Sequence, residues 1–195
     1  MTQLTAPTAP ATPAPSVTPV PSTAPPANAP DRVPDTGFLR MPTPLGRLEL
    51  HSIAGAVSAV RFEQDGRLPS DDCDERPNSI LLDAAEQLDE YFSGSRRCFE
   101  LPLVATGTPF QHAVWTALGD VGFGTAIGYG ALARAAGAPG GGRAAGQAVR
   151  ANTLALLVPC HRVLGSGGFV TGYSGGEGPS TKRWLLDHEG IPYRR

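Results

Sequence analysis

The feature that most constrains this chain is where it cannot fold. Its opening stretch, Thr5 to Pro34, is almost entirely Ala, Pro, Thr, Ser and Val and contains no aromatic residue. Such a composition buries too little apolar surface to offset chain entropy, so residues 1–36 are expected to form a disordered, extended tail. The stretch lacks the basic start of a secretory signal, and prolines interrupt every apolar run, so neither an export signal nor a membrane span is expected. The fold must come from the 160 or so residues that follow, enough for one domain or two small ones.

Those residues carry two patterns. From Thr36 to about Thr106 the chain reads as a mixed α/β unit. Leu48–His51 and Val57–Phe62 suggest a hairpin turning at Ala54-Gly55, and the polar stretch from Ser70 to Asn78 reads as a loop. Ile80–Phe92 has helical apolar spacing with Gly94 as a stop, and Cys98–Val104 reads as a further short strand.

The second unit opens on Thr108-Pro109-Phe110-Gln111, a capping box with proline in the first turn. The helix that follows should bury Phe110, Val114, Trp115 and Leu118. Two short helices, Tyr129–Ala136 and Arg143–Arg150, flank a small-residue turn in a helix-turn-helix pattern. Leu154–Val158 reads as an apolar strand, Gly165–Gly178 as a glycine-rich loop and Thr181–His188 as a last helix. The fold class is therefore α/β (α+β): a tail (1–36), a small N-terminal α/β domain (37–106) and a mainly helical C-terminal domain (107–195).

Charge divides along the same line. Up to Gly107 there are eight Lys/Arg against fourteen Asp/Glu, and after it eight against four. A basic half beside an acidic one points to a polyanion on one face, although ordinary charge scatter produces the same imbalance. The three cysteines, Cys73, Cys98 and Cys160, are too few and too widely spaced for a disulfide framework or a local zinc motif. No metal is expected, and a reducing cytoplasm is the expected compartment.

The chemistry concentrates at Pro159-Cys160-His161-Arg162. A thiol beside an imidazole is a route to a thiolate near neutral pH. A lone Cys is also a small core hydrophobe.

Ordered blocks from Gly107 to Glu189 resemble the O6-alkylguanine-DNA alkyltransferases. They are Gly107–Gln111, Tyr129–Ala133, Arg143-Ala144, Asn152, Pro159–Val163, Thr171–Gly176 and Lys182–Leu186. The resemblance implies irreversible, single-turnover transfer of an alkyl group from O6 of guanine, or O4 of thymine, to Cys160 without any cofactor. His161 would act as base through a water and Glu189 would orient it. Tyr129 would hydrogen-bond or protonate the leaving base. Val149, Val163, Tyr173 and Ser174 would line the pocket.

The target nucleotide must leave the stack. Arg143 would fill its place, and Gly141, Gly142, Ala144 and Gly146 would let the second short helix lie in the minor groove of double-stranded DNA. Asn152 would tie that helix to the active-site segment. Residue type alone also allows a surface carboxylate at Glu189, a core tyrosine at Tyr129 and a solvated helix arginine at Arg143.

The chain departs from the family pattern at Thr153, where proline is usual, at Gly141 and Gly142, where alanines are common, and at an insertion over Glu177–Ser180. No dimerisation segment is visible, so a monomer is expected. Two other readings of the Cys-His pair are a cysteine hydrolase, which needs an oxyanion hole and turns over repeatedly, and a non-catalytic DNA-binding sensor with Cys160 as a redox switch or lesion binder.

Overall fold

The computed structural model describes residues 35–195, so the expected tail lies almost wholly outside the described residues. Three antiparallel strands, β1 (Thr36–Thr43), β2 (Gly46–Ile53) and β3 (Ala56–Phe62), form a meander in the order β1-β2-β3. The β2–β3 hairpin turns on Ala54 and Gly55, both at positive φ (51° and 78°). Two such residues give a turn whose twist matches that of the strands. Helix α1 (Ser79–Phe92) is capped by the Asn78 side chain and lays Leu81, Ala84, Leu88 and Tyr91 into the core shared with Leu48, Leu50 and Val60 of the sheet.

The second unit contains α2 (Pro109–Gly119), β4 (Ile127–Gly128), α3 (Tyr129–Ala135), α4 (Gly142–Arg150), β5 (Val163–Leu164) and α5 (Pro179–His188). The capping box of α2 is present: Gln111 N–H donates to Thr108 Oγ1 at 3.3 Å, and Thr108 N–H to Gln111 Oε1 at 2.7 Å. Val114, Trp115 and Leu118 are buried as expected, and Phe110 is half-buried. Trp115 Nε1 donates to the Ala148 carbonyl at 2.8 Å, which locks α2 against α4. Helices α3 and α4 pack as the expected pair around the turn at Gly137 and Gly140, both at positive φ. Among the described residues no helix is long and apolar enough to cross a membrane.

Two expected strands are absent. Cys98–Val104 makes one bridge to the start of β3, with Val57 N–H donating to Pro102 O and Val104 N–H to Val57 O, both at 2.9 Å. Pro102 has no N–H, so a ladder cannot extend through it. Leu154–Val158 is apolar because it is buried, not because it is extended. Asn152 folds it back on itself, accepting from Leu154 N–H at 3.0 Å and donating to Val158 O at 2.8 Å. Leu156 takes a left-handed φ of 69° within this turn. Val60 N–H donates to Thr153 O at 2.9 Å, so β3's outer edge is covered by the turn that leads to Cys160. The sheet therefore acts as a wall behind the active-site segment.

Candidate active site

Residues 154–164 are buried without a break, in a segment that is mostly neither helix nor strand. Buried backbone and side-chain polar groups must find partners, and the partners here define the site. Cys160 begins a single 3-10 turn, Cys160–Arg162, so consecutive side chains leave in different directions. The thiol borders a cavity of about 430 Å³ that is also lined by Tyr129, Gly146, Val149, Tyr173 and Ser174. That volume suits a small aromatic ligand.

Behind the thiol lies a buried polar chain. His161 is fully buried, and its Nε2 lies 2.7 Å from Glu189 Oε1. Its Nδ1 is buried and has no hydrogen-bond partner among the described residues. Glu189 follows the last turn of α5 and is 4 % exposed, so it is not a surface carboxylate. Arg162 clamps it, donating from Nε to Oε2 at 2.8 Å and from Nη2 to Oε1 at 3.0 Å. The Tyr91 hydroxyl of α1 donates to Oε1 at 2.8 Å, and Gly124 N–H to Oε2 at 3.4 Å. Arg162 Nη1 donates onward to the Val121 carbonyl.

These contacts set the protonation states. Burial alone would push the Glu189 carboxyl up, but His161 and Arg162 outweigh it and hold it at about 2. Burial pushes His161 down, with Glu189 pulling in the opposite sense, so the imidazole is held below its ordinary value. With Nε2–H directed at a carboxylate, neutral His161 presents Nδ1 as a free acceptor. Burial also pushes the Cys160 thiol up, while Asn152, Tyr173 and the charge of Lys182 pull it back. The Cys160 Sγ–Tyr173 hydroxyl separation is 3.9 Å.

The expected site residues fall into three groups. Cys160, Tyr129, Gly146, Val149, Tyr173 and Ser174 meet at the cavity, with His161 and Glu189 directly behind it. The Tyr129 hydroxyl accepts from Thr171 Oγ1 at 3.3 Å. Gly141, Gly142, Arg143 and Ala144 lie at the start of α4, with Arg143 and Ala144 exposed and the glycines partly so. Asn152 bridges the end of α4 and the buried turn. Val163 does not line the cavity. Its side chain is fully buried in the core, because β5 pairs with β4 there.

Lys182 was not singled out as a site group. It is fully buried, its Nζ donates to the Val163 carbonyl at 2.5 Å, and burial lowers its pKa to about 8. Its sequence signal was a lysine on the same α5 face as Leu185 and Leu186, where charge is rarely left. Tyr91 lies within the apolar helical pattern of α1, which marks it as core and carries no signal of its bond to Glu189. Among the described residues no group of three His, Cys, Asp or Glu is placed to hold a metal ion.

Comparison with known proteins agrees with this geometry. Residues 109–191 match the model of the 6-O-methylguanine DNA methyltransferase DNA binding domain, and residues 40–105 match that family's ribonuclease-like domain. The methylated-DNA–protein-cysteine methyltransferase, constitutive, of Bacillus subtilis is 39 % identical over 158 residues, covering 78 % of this chain and 94 % of that protein. The Cricetulus griseus methylated-DNA–protein-cysteine methyltransferase is 40 % identical over 172 residues, covering 78 % and 81 %. The crystal structure of Mycobacterium tuberculosis O6-methylguanine methyltransferase superposes with a TM-score of 0.70 at 36 % identity, covering 79 % of this chain and 92 % of that one. The crystal structure of Mycobacterium tuberculosis OGT in complex with DNA superposes with a TM-score of 0.70 at 36 % identity, covering 78 % of this chain and 92 % of that one. With a thiol at the cavity, a buried histidine–carboxylate pair behind it and both family domains matched in order, the chain belongs to the methylated-DNA–protein-cysteine methyltransferase family.

Proposed function

We propose that this protein repairs DNA by moving an alkyl group from O6 of guanine to Cys160, irreversibly and once per molecule. The observation that carries the reading is the buried thiol on a base-sized cavity with the His161–Glu189–Arg162 chain behind it.

Neutral His161 takes the thiol proton at Nδ1 through a water, and Glu189 stabilises the imidazolium that forms. The sulfur lone pair makes the new C–S bond as the C–O6 bond breaks, and the released electron pair passes to the guanine. Tyr129 donates its hydroxyl proton to the base, which leaves as neutral guanine, and the proton held on the His161 imidazolium restores the Tyr129 hydroxyl through water. Lys182 adds a positive charge near the thiolate. The product is a thioether with no good leaving group, which ends the cycle.

In this reading the C-terminal unit, 107–195, binds double-stranded DNA and accepts the alkyl group, and the N-terminal unit, 37–106, supports it. Helix α4 enters the minor groove, where Gly141, Gly142 and Ala144 keep its leading end thin. Arg143 replaces the flipped nucleotide in the stack. The protein acts as a monomer in the reducing cytoplasm, consistent with the free, exposed thiols of Cys73 and Cys98.

The test is mass spectrometry after incubation with duplex DNA carrying one O6-methylguanine. One methyl on the Cys160 peptide, saturating at one per protein and absent in Cys160→Ala, is the expected result. Tight binding without transfer would point to a lesion sensor. Repeated turnover on esters or amides would point to a hydrolase.

A further inference from the structure

Glu177 and the loop that precedes it lie against the N-terminal unit. After β3 the chain makes a tight turn, Gln64-Asp65-Gly66-Arg67. Gln64 N–H donates to Arg67 O and Arg67 N–H to Gln64 O, both at 2.9 Å. Asp65 and Gly66 both have positive φ, 49° and 74°. This is the Asp-Gly turn that the right-handed twist of a hairpin favours.

The turn reaches the pocket loop at two points. Gln64 Nε2 donates to the Ser174 carbonyl at 3.1 Å, and Asp65 N–H donates to Glu177 Oε1 at 3.3 Å. Between them, Phe62 packs against Gly175 so closely that an added Cβ there would lie 3.0 Å from its ring. Glu177 is fastened on its other side, its N–H donating to Thr181 Oγ1 of α5 at 2.9 Å. The loop held in this way carries Tyr173 and Ser174, which line the cavity beside Cys160.

We infer that the Gln64–Arg67 turn is a clasp that positions the lesion-pocket loop, with Gln64 and Glu177 as its positioning residues. The inference deepens the reading of the site as an alkylated-base pocket and rests on it. A loop closed over a base must otherwise be ordered at the moment of binding, which weakens binding. The clasp orders it in advance from the N-terminal unit, which lines the cavity with no side chain of its own. Glu177 acts as an acceptor for the Asp65 backbone N–H, a role that an amide oxygen fills more weakly.

The experiment compares Gln64→Ala, Glu177→Ala and Glu177→Gln with the full-length protein. Two readouts are used: amide hydrogen exchange of residues 173–178, and the rate constant for transfer from free O6-benzylguanine. Each alanine variant is expected to speed loop exchange and lower the second-order rate constant by roughly three- to tenfold, the worth of one hydrogen bond. The loss should fall on apparent affinity more than on the rate at saturation, with the melting temperature nearly unchanged. Glu177→Gln keeps an acceptor oxygen and should lose clearly less than Glu177→Ala.

Wild-type exchange and rates in both alanine variants would overturn the clasp. Loss in Glu177→Gln equal to that in Glu177→Ala would overturn the acceptor role. Exchange is read without substrate, so the clasp remains testable even if the unaltered protein transfers no alkyl group.

Discussion

Replacing Glu189 by Gln tests the buried chain most directly. The carboxylate accepts from His161, twice from Arg162, and from Tyr91 and Gly124. An amide of the same shape offers one acceptor oxygen and turns an NH₂ towards donors, which leaves Arg162 buried with its charge uncompensated. Breaking a buried pair from one side costs about 3–5 kcal/mol. An independent route gives a similar figure. The folded carboxyl sits at about 2 against an ordinary 4.5, and a difference of that size is worth roughly 3 kcal/mol.

Because the folded value is the lower one, this stability is present in full above the unfolded value and is lost as pH falls from 4.5 towards 2. Urea unfolding at pH 7.5 should therefore find Glu189→Gln less stable by about 3 kcal/mol, and the gap should close progressively below pH 4.5. His161 is buried below its ordinary 6.5, so it weakens the folded state of the unaltered protein once pH falls under that value. The two proteins are therefore compared at each pH. A gap under about 1 kcal/mol at pH 7.5, the range of an exposed pair, would refute the argument. So would a gap that persists unchanged at pH 3.

Other outcomes follow from the same geometry. Arg143→Ala should slow repair of duplex DNA by about tenfold or more, the scale of losing support for a flipped base, while free O6-benzylguanine reacts nearly as before. Equal losses on both substrates would remove the flipping role. Lys182→Met removes the buried charge near the thiol, so iodoacetamide labelling of Cys160 should shift to higher pH, and an unmoved profile would show that Lys182 does not act on the sulfur. Removing residues 1–34 leaves every described strand, helix and cavity residue in place, so methyl transfer should persist, and a large loss would assign the tail a role.

Much of the fold was legible because it rests on local chemistry. Thr108, Pro109 and Gln111 specify a helix start within four residues. Ala54-Gly55 marks a hairpin and Gly137 to Gly142 a turn between two short helices. Where reading failed, a distant partner or a single atom decided. Apolar Leu154–Val158 suggested a strand, but two bonds from the Asn152 side chain close it into a turn. Cys98–Val104 had strand-like residues, but Pro102 lacks the N–H that a ladder needs. Strand β1 carries Gly37 and Pro42 among its eight residues and so had no clear alternating pattern.

The site divides in the same way. The reactive pair, Cys160-His161, the helix-turn-helix and, through resemblance, the family can be read from the order of residues alone. The folded chain adds what that order does not carry: Glu189 is buried and clamped, the charge of Lys182 acts on the thiol, Val163 faces the core, and Tyr91, 98 residues away, completes the carboxylate's partners. Short-range patterns report backbone preference and reactivity, which depend on neighbours in the chain. Burial, and the charge states it imposes, depends on which remote segments close over a group, and no local pattern carries that information.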